Sequence, residues 1–294
     1  MNQSIPVPKV LNDQQVSSFV EDGYMVMNEL ISHEECEEIV NDSVKIIRGE
    51  YFSESNYPDI AENDTDEDVL KKVLCIHQPH FHSPTINKYV AHPKICGILS
   101  QITGAHLVHW NGNVKCMQSM YFIKPPGYQG QAWHQDEIYI PTRDRSLIGA
   151  WIALEDATIE NGCLWVLPKS HQDGILYDQK PHENDKEFDF ADQSYGFDDS
   201  NEIPVEVKKG SVVFFNGYLL HRSAKNRSNN FRKVLVNHYM SANSLLPWTG
   251  EASRADERCV QLVAGNDYYA YKGYTKKGLH FRMCSSGSQF YNKE

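Results

Sequence analysis

Two histidines, an aspartate and an arginine are the residues of this chain with the clearest capacity for chemistry. His134 and Asp136 are separated by one residue, so on a β-strand both side chains would project from one face while Gln135 pointed away. His221 follows much later in the chain. Two imidazoles and one carboxylate on one side of an ion are the ligand set of non-haem Fe(II) oxygenases, which leave the opposite side open.

Arg232 follows His221 closely enough for an adjacent strand to carry it back toward the same ion. The residues before His221 are typical of a strand, a turn at Gly210 and a second strand, and the run 231–239 is typical of a further strand. A guanidinium there would suit a bidentate carboxylate, such as the far end of 2-oxoglutarate. The pattern therefore predicts an Fe(II) site that binds 2-oxoglutarate and reacts with O2.

Three segments around these residues resemble the phytanoyl-CoA dioxygenase family. They are the run 133–136 (WHQD), the block 149–171 with its DATIENGCL stretch, and His221-Arg222-Ser223 with Arg232; the resemblance spans roughly residues 10–245. It implies a mainly β fold, a double-stranded β-helix (a cupin-like jelly roll) with flanking N-terminal helices. It also implies an Fe(II)- and 2-oxoglutarate-dependent dioxygenase that hydroxylates a C–H bond and releases succinate and CO2.

The resemblance also assigns roles to single residues. His134, Asp136 and His221 match the iron ligands, Arg232 and Ser223 match the positions that hold the distal carboxylate of 2-oxoglutarate, and Trp151 matches a residue lining the cosubstrate pocket. For the near carboxylate we prefer Gln118, on a predicted strand, over Gln131, in a predicted loop, because strand residues hold geometry better. Related halogenases have a small residue at the aspartate position, so Asp136 favours hydroxylation.

Two alternative functions fit the same residues. A cupin-like metalloenzyme, a lyase or isomerase with zinc or manganese in the triad, explains the three ligands but leaves Arg232 and Ser223 without a role. A non-catalytic jelly roll that binds a sugar or a peptide would need no turnover at all. Succinate release from 2-oxoglutarate with Fe(II) would exclude the first alternative, and decay of 2-oxoglutarate without substrate would exclude the second.

Composition restricts the partners of the chain. Its 294 residues include 28 basic and 39 acidic side chains, which gives a formal net charge of −11. Nucleic acids and anionic membranes are bound by clustered Lys and Arg, so this balance argues against both and leaves a small-molecule substrate. The seven cysteines lack a regular spacing, no apolar run is long enough to span a membrane, and the N-terminus lacks a signal-peptide pattern. We therefore expect a cytoplasmic protein with reduced thiols.

We expect one domain over residues 1–294, with a helical part at about 10–105, a jelly-roll core at about 114–245 and a C-terminal extension at about 246–294. Asn12 and Ser32 are the predicted N-caps of two helices, the second with a capping box and an end near Arg48. The other predicted elements are a strand at 24–27, a mobile acidic loop at 51–70, a helix at 84–99, a strand at 115–124, and strands at 148–154 and 163–167 with the Asn161-Gly162 turn between them.

A long acidic insertion at residues 172–204 separates Asp136 from His221. Such a segment inside a compact domain is usually either functional or disordered, so it fits a lid over the site as well as a solvated surface loop. Its aromatic residues favour the lid; they are Tyr177, Phe188, Phe190, Tyr195 and Phe197. Trp133 and Tyr139 flank the metal motif and fit either the substrate cavity or the core.

Overall fold

A computed structural model describes residues 4–51, 58–245, 260–272 and 280–283. Within these ranges the helices are α1 (Asp13–Asp22), α2 (His33–Ile47), α3 (Asp66–Lys71), α4 (Pro84–Val90) and α5 (Pro93–Ile102). The strands are β1 (Tyr24–Met27), β2 (Val73–His77), β3 (Val114–Lys124), β4 (Gln131–His134), β5 (Ile148–Ala153), β6 (Leu164–Val166), β7 (Gln179–Lys180), β8 (Gln193–Ser194), β9 (Ile203–Val205), β10 (Val212–Asn216), β11 (His221–Ser223), β12 (Arg232–Ser241), β13 (Gln261–Ala264) and β14 (His280–Met283). No helix in this part of the chain has the length and apolar character needed to cross a bilayer.

The first two helices begin at the predicted residues for the predicted reason. Asn12 and Ser32 each accept the N3 backbone N–H of their helix, and the N3 side chain returns a bond to the cap, which completes two capping boxes. Gly23 ends α1 in the left-handed conformation, with φ of 82°, and its N–H donates to the carbonyl of Phe19. Phe19 of α1 is buried, whereas Val20 is exposed.

Two predicted elements of the N-terminal part are wrong in detail. The acidic loop predicted at 51–70 contains α3, because Thr65 forms a further capping box at its start; residues 52–57 lie outside the described ranges. The single helix predicted at 84–99 is two helices, α4 and α5. The chain is extended at His92, since a residue before proline disfavours the α conformation, and Pro93 then opens the second helix.

A large antiparallel sheet forms one wall of the molecule, with the strand order β1-β10-β5-β12-β3-β2-β14 and β13 paired to β3. Alternate residues face opposite sides of the sheet. Tyr121, Ile152, Phe214 and Leu235 face the helices and form the larger hydrophobic core with them. The C-terminal extension, for which we made no structural prediction, supplies β13 and the edge strand β14.

A smaller antiparallel sheet, with the order β4-β11-β6-β9, covers the other face of the large sheet. Trp151, Val213 and Val234 from the large sheet and Val166 and Val205 from the small sheet belong to one buried cluster between the two. Two antiparallel sheets packed face to face, with helices on the outside, constitute the predicted double-stranded β-helix. The fold class is confirmed.

The connections between strands differ from the hairpins suggested by the sequence. β5 lies in the large sheet and β6 in the small one. The Asn161-Gly162 turn therefore lies in a connection from one sheet to the other and does not close a hairpin. Asn161 shapes this crossing: its Oδ1 accepts from Thr158 N–H and its Nδ2 donates to the carbonyl of Asp156. β9 and β10 are likewise divided between the two sheets.

The insertion at 172–204 is packed against the small sheet. It contains the short β7-β8 ladder and ends in β9. The ring of Phe197 meets Trp133 and Tyr177 edge-on, at centroid distances of 5.9 and 5.2 Å. Arg222 of β11 lies over the rings of both Trp133 and Trp165. Trp133 therefore packs on the outer side of the small sheet and does not line a substrate cavity.

Gly149 of β5 pairs with Phe215 of β10, and a Cβ at Gly149 would lie 2.3 Å from Phe215 Cζ. We expect Gly149→Ala to lower the free energy of unfolding by about 1–3 kcal/mol, because the ring or the backbone must move. Chemical denaturation of Gly149→Ala, Phe215→Leu and the double variant measures this effect. The double variant should recover part of the loss; strictly additive losses would contradict the steric explanation.

Candidate metal and cosubstrate site

The structure brings His134, Asp136 and His221 together at the edge of the small sheet. His134 ends β4 and His221 begins β11, and these two residues are paired in register. One ligand atom from each of the three residues lies within 4.8 Å of the others. Asp136 Oδ1 is 3.6 Å from His134 Nε2 and 3.7 Å from His221 Nε2. This arrangement has the donor types and spacing of a metal site, and all three side chains are largely buried.

Hydrogen bonds to backbone carbonyls two residues earlier in the chain fix the orientation of both imidazole rings. His134 Nδ1 lies 2.8 Å from the carbonyl of Ala132, and His221 Nδ1 lies 3.0 Å from the carbonyl of Leu219. A proton on Nδ1 satisfies each carbonyl and leaves the Nε2 lone pair facing the centre of the cluster. Such a second bond fixes the tautomer and orientation of metal-binding histidines.

Asp136 reaches the cluster by a route that differs from the prediction. β4 ends at His134, and Asp136 begins a short 3-10 helix, Asp136–Ile138. The two side chains still share a side because Gln135 between them is extended, with φ of −128° and ψ of 128°. Gln135 points away, as predicted: its Nε2 donates to the carbonyls of Ile175 and Tyr218.

Charge in this cluster is arranged for metal binding at neutral pH. Burial, and secondarily His221, lower the pKa of His134 to about 4, so its imidazole is neutral and available as a ligand. Burial alone would raise the pKa of Asp136, but the imidazoles of His221 and His238 outweigh it and hold that pKa below its ordinary value. His238 was not singled out from the sequence; its Nε2 is 2.9 Å from Asp136 Oδ2.

A second charged group lies on the inner face of the large sheet. Arg232 opens β12 and pairs in register with Lys124, the last residue of β3, and both side chains are buried. Lys124 Nζ donates to Ser223 Oγ at 3.0 Å and to the carbonyl of Ala224 at 2.7 Å. The guanidinium of Arg232 lies over the ring of Trp151, 5.6 Å from its centroid, and its Nε has no hydrogen-bond partner among the residues that the structure describes.

Two adjacent buried cations are unfavourable unless an anion joins them. Burial, together with the charge of Arg232, holds the pKa of Lys124 well below its ordinary value, and burial lowers the pKa of Arg232 to about 10. The unpartnered Nε of Arg232 is also a donor that lacks an acceptor. These residues therefore fit a carboxylate such as the distal group of 2-oxoglutarate. Lys124 was missed in the sequence, where a lysine before two prolines resembles an ordinary strand end.

The position of Arg232 corrects one expectation. We predicted that a strand adjacent to that of His221 would carry it, but β11 pairs with β4 and β6, whereas β12 pairs with β3 and β5. Arg232 thus faces the triad from the opposite sheet. This placement lets a ligand between the sheets touch both groups at once.

Gln118 lies on the same inner face of the large sheet as Arg232 and Lys124, toward the other end of β3. It is the register partner of His238, so the two side chains project from the same side of the large sheet. Gln131, in contrast, donates its backbone N–H to Ser223 Oγ, near the lysine. This arrangement favours Gln118 over Gln131 for the near carboxylate, and the role of Gln118 stays a prediction.

Tyr139 lies beside the cluster and contacts the insertion. The ring centroid of Tyr139 is 6.3 Å from that of His134, and its hydroxyl accepts from Gln179 of the insertion. The negative charge of Asp189, also in the insertion, acts against the lowering of the pKa of His134 and of Lys124. Asp189 is paired at 3.0 Å with Arg282 of β14, whose guanidinium lies over the ring of Phe190.

A jelly roll with a His-X-Asp…His cluster on one sheet and a buried arginine opposite defines the class of non-haem iron, 2-oxoglutarate-dependent oxygenases. A family model described as phytanoyl-CoA dioxygenase (PhyH) matches residues 19–234, and the chain belongs to this family. Phytanoyl-CoA dioxygenase domain-containing protein 1 of Danio rerio is 31% identical, over 82% of this chain and 94% of that protein. Phytanoyl-CoA dioxygenase 1 of Oryza sativa subsp. japonica is 30% identical, over 80% and 90%.

Solved structures agree on the fold. The crystal structure of EctD from S. alaskensis with 2-oxoglutarate and 5-hydroxyectoine superposes with a TM-score of 0.61 at 18% identity, covering 81% of this chain and 78% of that one. The carbocyclase SnoK from nogalamycin biosynthesis gives a TM-score of 0.60 at 22% identity, covering 82% and 88%. The resemblance to the family, inferred from short segments of sequence, is thereby confirmed over most of the chain.

The buried ammonium of Lys124 has a measurable consequence for stability. Because its pKa is lowered in the folded protein, the unfolded chain binds more protons, and stability rises with pH between that lowered pKa and the ordinary value of 10.5. We expect this rise in wild-type protein without 2-oxoglutarate and its loss in Lys124→Met. Urea unfolding of both proteins across that pH range measures the difference. Equal pH slopes would show that the ammonium is not desolvated.

Proposed function

We propose that this protein hydroxylates a C–H bond of a small-molecule substrate, with conversion of 2-oxoglutarate to succinate and CO2. One observation carries the proposal: the triad and the buried cation pair face each other across one interior from opposite sheets. Fe(II) bound with 2-oxoglutarate and O2 would supply the oxidising chemistry. The chain itself supplies the binding groups, their orientation and the exclusion of water.

In this proposal His134, Asp136 and His221 hold the iron. Their orientation before binding supports the assignment, because both Nδ1 atoms are committed to backbone carbonyls and both Nε2 atoms face Asp136 Oδ1. Preorganised ligands need little rearrangement when the ion arrives. The carboxylate of Asp136 occupies a coordination position that a halide would need, which favours hydroxylation.

Arg232 and Ser223 would hold the distal carboxylate of 2-oxoglutarate, and we add Lys124 to this group. A carboxylate there would accept a hydrogen bond from Arg232 Nε–H, which has no other acceptor among the described residues. It would also neutralise part of the combined positive charge of Arg232 and Lys124. Trp151 supports the guanidinium from its ring face. The apolar residues between the two ends, Val234 and Val236, would keep water away from the bound dicarboxylate.

The insertion at 172–204 is proposed as a cover for the substrate side of this interior. Gly130, the residue immediately before β4, exchanges backbone hydrogen bonds with Glu187 and Asp189. The pair of Asp189 and Arg282 then connects the insertion to β14. These contacts join the insertion to two otherwise separate parts of the chain and support its assignment as a lid.

For the substrate we propose a small molecule. The S. alaskensis EctD structure contains 5-hydroxyectoine, a small molecule, next to 2-oxoglutarate. We also propose a cytoplasmic location, with residues 1–294 as one oxygenase domain. Five cysteines of the described ranges are buried, which suits a reducing compartment; Cys259 and Cys284 lie outside those ranges.

Succinate production tests the proposed function. Anaerobically purified protein supplied with Fe(II), 2-oxoglutarate and O2 should release succinate, and His134→Ala should abolish this at every 2-oxoglutarate concentration. Arg232→Ala should keep activity but raise the 2-oxoglutarate requirement by about 100-fold or more, because a charge-assisted bidentate pair contributes about 3 kcal/mol. Metal-dependent succinate release in His134→Ala, or an unchanged requirement in Arg232→Ala, would contradict these assignments.

The proposed lid predicts a separate effect of Arg282. Arg282→Met removes the ion pair to Asp189 while keeping an unbranched side chain over Phe190. We expect faster hydrogen exchange in the insertion and several-fold more 2-oxoglutarate decay without substrate, because water reaches the interior more easily. Lys208→Met, which breaks an exposed pair with Asp156, is the control and should change neither. Unaltered exchange in Arg282→Met would count against a lid held by this pair.

A further inference from the structure

Within the proposed metal site, the two oxygens of Asp136 have different partners. Oδ1 faces the Nε2 atoms of His134 and His221, whereas Oδ2 is 2.9 Å from His238 Nε2. His238 comes from β12 of the large sheet, and Asp136 follows β4 of the small sheet. The contact therefore crosses the interior and connects the two sheets at the triad.

We infer that His238 is a positioning residue that keeps Oδ2 of Asp136 engaged, so that only Oδ1 is offered to the metal. An octahedral ion has a fixed number of positions, and a carboxylate that binds through both oxygens takes one more than a carboxylate that binds through one. Holding Oδ2 would leave that extra position open for cosubstrate. The inference rests on the proposed function, because it concerns the same ion.

The surroundings of His238 support a role through Nε2. The side chain is buried, and within the described ranges its Nδ1 has no hydrogen-bond partner. A buried polar atom without a partner lowers stability, and an apolar side chain at this position would avoid that cost. The hydrogen bond made by Nε2 gives a reason for a histidine here. His238 is the register partner of Gly149 on β5. A side chain at position 149 would collide with the ring of Phe215. Phe215 in turn packs 4.7 Å from the ring of His221.

Substitutions at His238 separate hydrogen bonding from packing. His238→Leu removes the donor, His238→Gln can present an amide N–H at similar reach, and His238→Asn carries the same amide on a shorter side chain. Asn237→Leu is the matched control. Asn237 directly precedes His238 in β12, is buried, and faces the opposite side of the sheet. All variants are made in the full chain and compared with wild type for thermal unfolding.

The probe is Co(II) or Fe(II) alone, added anaerobically to metal-free protein. We expect His238→Leu and His238→Asn to raise the metal dissociation constant by about 10- to 100-fold, as loss of a ligand's hydrogen-bond partner typically does. The visible absorption of the Co(II) protein, which responds to coordination number, should change in the same variants. His238→Gln should stay near wild type in both measurements, and so should Asn237→Leu.

Three outcomes would overturn the inference or its basis. Wild-type affinity and spectrum in His238→Leu would show that Oδ2 needs no partner. Equal losses in His238→Gln and His238→Asn would assign His238 to packing, and this comparison decides the matter even where His238→Leu fails to fold. Absence of metal binding by wild type itself would instead remove the proposed function, on which the inference stands.

Discussion

The register between β4 and β11 is the constraint on which the rest of this site depends. It places His134 opposite His221, and both rings then turn the same way because each binds the carbonyl two residues earlier in the chain. A slip of one residue between these strands would turn one imidazole to the outer side of the sheet. The insertion and Arg222 pack on that outer side against Trp133 and Trp165, and so help to fix the pairing.

The charged side chains make the two ends of the interior electrostatically different. A carboxylate among imidazoles occupies one end, and two buried basic side chains, Arg232 and Lys124, occupy the other. In the proposed function a dicarboxylate would satisfy both ends in one orientation, with its chelating part toward the triad and its distal carboxylate toward Arg232 and Lys124. The folded protein accepts the energetic cost of these buried charges, which is typical of a functional site.

Local signals in the sequence were enough for much of this fold and site. Capping residues located α1 and α2, the one-residue spacing of His134 and Asp136 located the cluster, and the family segments indicated the jelly roll. Pairings between distant strands were beyond such signals, so the crossing at Asn161 and the opposite-sheet position of Arg232 were missed. Lys124 and His238 were missed because a polar residue in a strand has the same pattern whether it faces water or a buried ligand.

The edge strand β14 has a consequence for the order in which the molecule is completed. It pairs with β2, so Phe281 lies opposite Ile76, a residue from the first third of the sequence. During synthesis the N-terminal helices, the small sheet and the other strands of the large sheet are available before β14 emerges. The ion pair between Arg282 and Asp189 can therefore form only after the strands that carry the triad and Arg232 have been synthesised.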